Sequence, residues 1–375
     1  MNAPSANAEG PWLQPYEIIN SKYTVHTMLS AGGFGQVYWA TENGTGKYLA
    51  MKIEKQGNKI SLLTEEAIIA SKINRSACKK NDRGIRHPIV RLFDYFETPE
   101  YKILVMSMCG PNIRELKKAT ECDRFSPTTT FWIMKKMVDA LKILHDFGWI
   151  HRDVKPANFC IGLGKEGAHR LYVVDFGLAR KYITSTGKLR EKRSFSSFRG
   201  TLRYASINAH NKKDLSRVDD LWSVYYIGVE NIIGKLPWRV ANDREKVGIM
   251  KQEINLLELD YGSYGVPDCF RILYQHLCGL GFYSDPNYTY LSGMIDEELT
   301  KSGYNRRYHN KLDWETHKHV NKILSEKNIE VDQDVFRKMA KWEKDNYGYF
   351  CMELGAFTGD NFSTNCKSLC ILENN

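Results

Sequence analysis

Two polar motifs, each beside a short apolar strand, constrain this sequence more than its composition does. The first is His-Arg-Asp-Val-Lys-Pro-Ala-Asn at 151–158, followed by the apolar residues 159–161. The second is Asp-Phe-Gly at 175–177, which follows the apolar run 171–174. Loops carry much of protein chemistry, and a carboxylate facing a carboxamide offers the hard oxygen ligands that magnesium prefers. The two motifs together predict a loop-built site for a divalent metal ion.

The spacing within these motifs resembles the catalytic loop and the Asp-Phe-Gly turn of protein kinases. By this resemblance Asp153 orients the substrate hydroxyl and accepts its proton, while Asn158 and Asp175 hold Mg²⁺ on the phosphates of ATP. Lys155 places a positive charge where the transferred phosphoryl group becomes more negative, and the resemblance implies that it favours hydroxyls over phenols. His-Arg-Asp alone is more often a polar surface turn, and the second motif at an ordered distance is what makes the pattern specific.

Length and composition limit the classes of protein that fit. The chain has 375 residues, 42% of them hydrophobic and 26% charged, which suits one large two-lobed domain with tails or two ordinary domains. Residues 1–12 have no charged start followed by an apolar run, so no signal peptide is predicted. No run of about 18 apolar residues occurs, so no membrane span is predicted. Nine cysteines without a C-x-x-C pair indicate reduced thiols and an intracellular protein, cytoplasmic or nuclear.

The formal net charge of +9 leaves two interpretations open. Nucleic-acid binding is not expected, because the basic residues are spread along the chain without a zinc finger, an aromatic RNA platform or a zipper. A basic enzyme that acts on acidic or phosphorylated protein substrates explains the charge equally well. We expect such an enzyme to be a monomer.

A glycine-rich hairpin is predicted after a flexible N-terminal arm over residues 1–21. Strand-like residues 23–29 lead into Ser-Ala-Gly-Gly-Phe-Gly-Gln-Val at 30–37. Most glycine-rich runs are simple turns, but small residues also let backbone amides approach phosphate oxygens. Ser30 departs from the kinase pattern G-x-G-x-x-G-x-V, and we expect it to alter loop stiffness without loss of nucleotide binding. The residues predicted to cover ATP are Leu29, Gly32, Gly33, Phe34, Gly35 and Val37.

The next strand carries a lysine that points to a charged partner on the following helix. Side chains alternate along a strand, so Ala50 and Lys52 share a face; Ala50 leaves room for a purine, and Lys52 reaches the α- and β-phosphates. An exposed strand lysine is the plain alternative. From residue 60 the apolar spacing is helical, and Glu66 is a charge on the apolar stripe. Since a buried carboxylate needs a partner, a Lys52–Glu66 pair is predicted, with Glu65 as the second choice.

A hinge is predicted at residues 107–110, where a strand-like run ends in glycine and proline. Backbone groups of Ser107 to Cys109 are expected to bond the adenine edge. Met106 would then close the back of the adenine pocket and Cys160 would form its floor. These side chains are equally compatible with plain packing.

The predicted boundaries define an α+β, bilobal protein kinase fold. A small, mainly antiparallel β N-lobe with helix C would span residues 22–106, and a larger, mainly α C-lobe would span 111–318. A polar helical extension and tail would follow at 319–375. Ser126 and Pro127 read as the cap and first residue of a core helix that presents the catalytic loop.

A resemblance to one superfamily comes from the end of the activation segment. Kinases generally end this segment in Ala-Pro-Glu, whereas this chain has Ser-Ile-Asn at 206–208. The run Gly-Thr-Leu-Arg-Tyr-Ala-Ser-Ile-Asn at 200–208 resembles the pattern of the casein kinase 1 superfamily, and the resemblance covers roughly residues 23–314. Asp-Asp-Leu-Trp-Ser at 219–223 and Leu-Pro-Trp-Arg at 236–239 look most like the tau-tubulin kinase branch or a divergent relative.

This resemblance implies further roles around the segment. Thr201 would contact the catalytic aspartate and the lysine two residues after it. Asp220 would anchor the catalytic loop backbone from a buried helix, with helix capping as the alternative. Arg203 and the turn Gly234-Lys235 would form an anion site for an acidic or phosphorylated substrate, unless Arg203 is a solvated loop arginine.

The activation segment also contains a basic cluster. Its residues are Lys188, Arg190, Lys192 and Arg193. A solvated loop explains this cluster, and attraction of acidic substrates is the second hypothesis. Because the superfamily usually does not require phosphorylation of this segment, constitutive activity is expected.

The sequence therefore predicts a serine/threonine kinase that uses ATP and Mg²⁺, with two rivals. A pseudokinase or scaffold would bind nucleotide or partners without turnover, but pseudokinases usually lack a key Lys, Asp or Asn, and only Ser30 favours this rival. A basic cytoskeletal or nucleic-acid binder with an incidental kinase fold would show salt-sensitive binding instead.

Overall fold

The computed structural model describes residues 10–33, 35–57, 61–79, 87–120, 123–163, 167–258, 267–304 and 312–315. These residues form a lobe built on an antiparallel sheet and a mainly helical lobe, which confirms the predicted α+β, bilobal architecture. Phe34, which was predicted to cover ATP, and the extension predicted at 319–375 lie outside the described residues.

A six-stranded antiparallel sheet, in the order β1-β2-β3-β4-β6-β5, forms the N-terminal lobe. Its strands are β1 Ile18–Ile19, β2 Tyr23–Gly32, β3 Gly35–Glu42, β4 Lys47–Lys55, β5 Leu92–Glu97 and β6 Tyr101–Ser107. Strand alternation separates the two faces of the sheet. In β3, for example, Gln36, Tyr38 and Ala40 are buried while the residues between them are partly exposed.

Residues 10–21 pack against this sheet, which differs from the flexible arm predicted for residues 1–21. Leu13 is 2% exposed, and β1 pairs with β2. The backbone amide of Trp12 donates a hydrogen bond to the Tyr38 hydroxyl at 2.7 Å. The prediction gave weight to prolines and small polar residues, but burial of the Leu13 and Ile19 side chains outweighs them.

Helix α1 (Leu62–Lys79) packs against β4, β5 and β6. Its buried residues include Leu63 and Ala67, which lie one turn apart on the face toward the sheet. The Leu63 amide donates to Glu54 Oε2 at 2.9 Å, which satisfies one of the unpaired N–H groups at the start of the helix. Glu66 lies on the same buried face.

The C-terminal lobe is mainly helical. Its helices are α2 Ile113–Lys118, α3 Pro127–Asp146, α4 Ile207–His210, α5 Arg217–Ile233, α6 Arg244–Glu253, α7 Asp268–Cys278 and α8 Tyr288–Lys301. Helix α3 contacts both α5 and α8 and carries much of the apolar core. It begins as predicted, because the Ser126 side chain accepts a hydrogen bond from the Thr129 amide and Pro127 is the first helical residue.

Two short antiparallel strand pairs flank the two polar motifs. Strand β7 (Trp149–Ile150) pairs with β10 (Arg180–Lys181), and β8 (Phe159–Ile161) pairs with β9 (Leu171–Val173). The stretch 151–158 connects β7 to β8, and its last three residues form a 3-10 turn. The Asp-Phe-Gly motif comes shortly after β9. Both motifs therefore lie at strand ends, where the sequence placed them.

The last described residues close the lobe near the start of α3. Trp314 is 2% exposed and meets the rings of Phe125 and Trp132 edge-on. The Asp313 carboxylate accepts hydrogen bonds from the Ser126 amide at 2.6 Å and the Ser126 hydroxyl at 2.7 Å. No helix in the described ranges is both long enough and apolar enough to cross a membrane.

Candidate active site

A buried carboxylate on α5 fixes the loop 151–158. Asp220 is 2% exposed and accepts hydrogen bonds from the backbone amides of His151 at 2.7 Å and Arg152 at 2.8 Å. His145 Nε2 lies 2.9 Å from the same carboxylate. Burial acts to raise the pKa of Asp220, but the hydrogen bonds and charge of the two histidines outweigh burial and lower this pKa. An ionised Asp220 thus anchors the loop backbone.

The carboxylate of Asp153 is held by donors from two segments. Thr201 Oγ1 donates to Oδ1 at 2.8 Å, and Lys155 Nζ donates to Oδ2. Thr201 and Lys155 therefore meet through this carboxylate. Gly200, which precedes Thr201, has φ +97°, and a Cβ at this position would lie 2.5 Å from the Arg152 carbonyl oxygen. Only glycine lets the segment come this close to the loop.

The predicted metal ligands, Asn158 and Asp175, lie at matched ends of the β8–β9 hairpin. The Val174 amide donates to the Asn158 carbonyl oxygen at 2.9 Å, and Asn158 Nδ2 donates to the Asp153 carbonyl oxygen at 3.0 Å. Burial acts to raise the pKa of Asp175, but the charge and hydrogen bond of Lys52 outweigh burial and lower this pKa to about 2. An ionised carboxylate beside a carboxamide fits the preference of Mg²⁺ for oxygen ligands.

A partly buried ion-pair network joins the sheet, α1 and the Asp-Phe-Gly motif. Lys52 Nζ lies 2.5 Å from Glu66 Oε2 and 2.9 Å from Asp175 Oδ1. The other oxygen of Glu66 accepts a hydrogen bond from the Asp175 amide at 3.1 Å. Burial acts to lower the pKa of Lys52, but the two carboxylates outweigh burial and raise this pKa above its ordinary value. The predicted Lys52–Glu66 pair is present, while Glu65 is exposed.

The glycine-rich hairpin joins β2 to β3, with Gly32 opposite Gly35 and Gly33 in the turn. Gly35 has φ +137°, and a Cβ there would lie 2.0 Å from the Ile53 carbonyl oxygen. The approach of β3 to β4 therefore requires glycine at this position. Ser30 is not among the described residues with positive φ and pairs with Val37. Serine is thus accommodated where the kinase pattern has its first glycine.

The residues predicted to line an adenine pocket lie around β3, β4 and β6. Ala50 and Met106 face each other across the β4–β6 ladder, and Val37 and Cys109 pack against the apolar cluster that contains them. An isolated bridge pairs Asn112 with Cys160, which brings Cys160 beside the hinge. Leu29 lies in β2, where the ladder to β3 is irregular.

One backbone N–H of the predicted hinge already has a partner within the protein. The backbone amide of Ser107 donates to the Arg91 carbonyl oxygen at 2.8 Å, so this N–H is not available to an adenine edge. Ser107 is the last residue of β6, and Arg91 lies just before β5. No local sequence pattern therefore indicates this bond. Contact of the other backbone groups of 107–109 with the adenine edge stays a prediction.

The predicted anion site contains an internal carboxylate. Glu230, which is 3% exposed, lies 3.6 Å from Arg203 and 3.1 Å from Lys117. Lys117 also donates to the Gly234 carbonyl oxygen at 2.9 Å. Glu230 therefore partly neutralises the positive charge of Arg203, whereas the Lys235 side chain is exposed.

A second buried carboxylate, Asp214, holds the activation segment and was not recognised from the sequence. Its Oδ1 lies 2.6 Å from Arg180 Nη1 and 2.8 Å from Arg193 Nη2, and its Oδ2 accepts the Arg193 amide at 3.1 Å. Arg152 reaches the same segment by donating to the Leu178 carbonyl oxygen at 2.7 Å. No local pattern marks Asp214, because its partners come more than twenty residues earlier in the chain.

Comparisons with known proteins agree with this geometry. A family model described as protein kinase domain matches residues 23–277. A Dictyostelium discoideum protein whose name contains the words serine/threonine-protein kinase is 34% identical over 298 residues, which cover 80% of this chain and 57% of that protein. A Caenorhabditis elegans protein whose name contains the words casein kinase I is 31% identical over 241 residues, 64% of this chain and 69% of that protein. The Caenorhabditis elegans serine/threonine-protein kinase spe-6 is 29% identical over 304 residues, 80% of this chain and 77% of that protein.

The anchoring of the loop by Asp220 makes a testable prediction. Asp220→Asn replaces one acceptor by an NH₂ group that faces a backbone N–H, and a hydrogen bond to a charged group contributes about 1.5–3 kcal/mol. We expect the amides of His151 and Arg152 to exchange with solvent about tenfold faster or more, measured by hydrogen–deuterium exchange. The exposed Asp146→Asn on α3 is the control, and equal exchange rates in the two variants would contradict the anchoring.

Proposed function

The chain belongs to the protein kinase family, and from this premise we propose that it transfers the γ-phosphoryl group of MgATP to serine and threonine hydroxyls of proteins. The observation that carries the proposal is the Lys52–Glu66–Asp175 network, because kinases need this lysine–glutamate pair and this aspartate in place together. Two relatives whose names contain the words serine/threonine-protein kinase support the same class of acceptor.

In the proposed reaction the substrate oxygen forms a bond to the γ-phosphorus. The bond from that phosphorus to the β,γ-bridging oxygen breaks, ADP leaves, and the hydroxyl proton passes to the Asp153 carboxylate. Thr201 and Lys155 hold this carboxylate in position. The Lys155 ammonium also offsets negative charge on the transferred group. Most of the rate then comes from positioning and electrostatics.

Asn158 and Asp175 are the proposed ligands of a divalent metal ion, and Mg²⁺ is the ion we propose. When bound, this ion neutralises phosphate charge. Lys52 is proposed to bind the α- and β-phosphates. Its raised pKa keeps it protonated at neutral pH, so its charge is available to the phosphates.

We extend the proposal to acidic or phosphorylated protein substrates and to a place in the casein kinase 1 superfamily, near the tau-tubulin kinase branch. Support comes from the run at 200–208 and from the relative whose name contains casein kinase I. Lys188, Arg190 and Lys192 are exposed on the activation segment and attract acidic substrates in this proposal. These three residues support the proposal of acidic substrates more than Arg203 does, because Arg203 forms an ion pair with Glu230 inside the protein. A monomeric, cytoplasmic or nuclear protein is part of the same proposal.

The assignment of Asp153 is tested by Asp153→Asn, with Asp146→Asn as the matched control. Loss of a general base costs about 100- to 10,000-fold in rate, so turnover should fall by that factor while ATP binding stays nearly intact. The measurement is magnesium-dependent transfer of labelled phosphate to casein and to an acidic serine peptide. Wild-type turnover in Asp153→Asn would end this assignment. A wild-type protein that binds nucleotide but transfers no phosphate would support the pseudokinase or scaffold instead.

The substrate proposal is tested by reversing the charge of Lys188, Arg190 and Lys192 to glutamate. Each exposed ion pair contributes up to about 1 kcal/mol, so the three changes should raise the KM for an acidic peptide about tenfold or more. The KM for a neutral peptide should stay within about twofold, and the effect should shrink as salt screens the charges. Glutamate at Lys142 and Lys301, which are exposed on α3 and α8, serves as the control. Equal changes for acidic and neutral peptides would reject the proposal.

A further inference from the structure

Lys251 on α6 is buried in an environment that is unusual for a lysine. It is 6% exposed, and among the described residues no carboxylate forms an ion pair with it. Its Nζ donates to the carbonyl oxygens of Leu202 at 2.9 Å and Ala205 at 2.5 Å. The same Nζ lies 4.6 Å from the ring centre of Tyr226 and 5.3 Å from that of Trp238. Two carbonyls and two aromatic faces thus replace the water that this amine loses on burial.

Both carbonyls belong to one turn, residues 201–206, at the end of the activation segment. The amides of Tyr204 and Ala205 donate to the Thr201 carbonyl oxygen at 3.0 Å, which closes the turn on itself. Trp238 Nε1 donates to the Arg203 carbonyl oxygen at 2.9 Å. The outward carbonyls of the turn are therefore held by side chains of the helical lobe, while Thr201 at its start contacts the Asp153 carboxylate.

The partners of this amine are carbonyl oxygens, and the end of the segment provides no carboxylate for it. Where kinases generally have Ala-Pro-Glu, this chain has Ser206-Ile207-Asn208, which offers no carboxylate. Ser206 instead caps α4 and donates to Asp219 at 2.6 Å. An apolar side chain in place of Lys251 would avoid the cost of burying an amine, but it would leave the carbonyl oxygens of Leu202 and Ala205 without this donor.

We propose that Lys251 is a positioning residue of the kinase reaction: its buried amine holds the turn 201–206, keeps Thr201 on Asp153 and fixes the surface that the protein substrate meets. This inference rests on the proposed function. Burial lowers the pKa of Lys251 well below its ordinary value. A neutral amine has two N–H groups and an ammonium has three, so both forms satisfy the two carbonyls.

The test compares Lys251→Met, which keeps the length of the side chain but removes its donors, with Lys251→Arg, which keeps donors. Lys246→Met, exposed on the same helix, is the control. We expect Lys251→Met to lower kcat/KM for a peptide substrate about tenfold to a hundredfold. The KM for ATP should stay within about twofold, because the contacts of Lys52 are not touched, and Lys251→Arg should recover part of the peptide activity.

Hydrogen–deuterium exchange on the same variants separates positioning from general stability. In Lys251→Met the amides of 201–206 should exchange faster while those of α5 keep their wild-type rates. Unchanged exchange in the turn, or faster exchange throughout the helical lobe, would overturn the inference. A wild-type protein that transfers no phosphate would overturn the proposed function, and the exchange data would still decide whether Lys251 holds the turn.

Discussion

The Lys52 ammonium is the point on which the geometry of the site depends. It comes from the sheet of the N-terminal lobe and contacts Glu66 of α1 and Asp175 of the Asp-Phe-Gly motif. Because removing one partner of a buried ion pair costs about 3–5 kcal/mol, and because the two carboxylates repel each other, both Glu66 and Asp175 depend on the Lys52 ammonium. The network thereby fixes α1 against the sheet and sets the carboxylate proposed to hold the metal. A lysine alone in the sheet would give neither constraint.

A second group of buried polar contacts holds the activation segment in the helical lobe. Asp214 pairs with Arg180 and Arg193, and Lys251 holds the turn 201–206. Burial acts to raise the pKa of Asp214, but the hydrogen bonds and charges of the two arginines outweigh burial and lower it. The segment is thus held by side chains of the chain itself, and the constitutive activity expected from the sequence stays a prediction.

Some parts of the site were predicted from local geometry, and others, such as the contact of Thr201 with Asp153 and of Asp220 with the loop backbone, came from the family resemblance. Strand alternation put Ala50 and Lys52 on one face, and helical spacing selected Glu66 over Glu65, because both rules depend only on neighbouring residues. Asp214 and Lys251 were missed because their partners are distant in the chain. Periodicity offers a signal for Lys251, since it lies one turn after the buried Val247. Composition also misled the prediction for residues 10–21, which pack on the sheet.

The measurement that tests this account most directly is phosphate transfer to casein by Glu66→Gln beside Glu65→Gln, at varied ATP concentration. The two residues are adjacent on α1, but only Glu66 is buried against Lys52. The account predicts that Glu66→Gln lowers kcat/KM for ATP about tenfold or more, and that Glu65→Gln behaves like the wild type. Equal activity of the two variants would contradict a site organised around the buried Lys52 network.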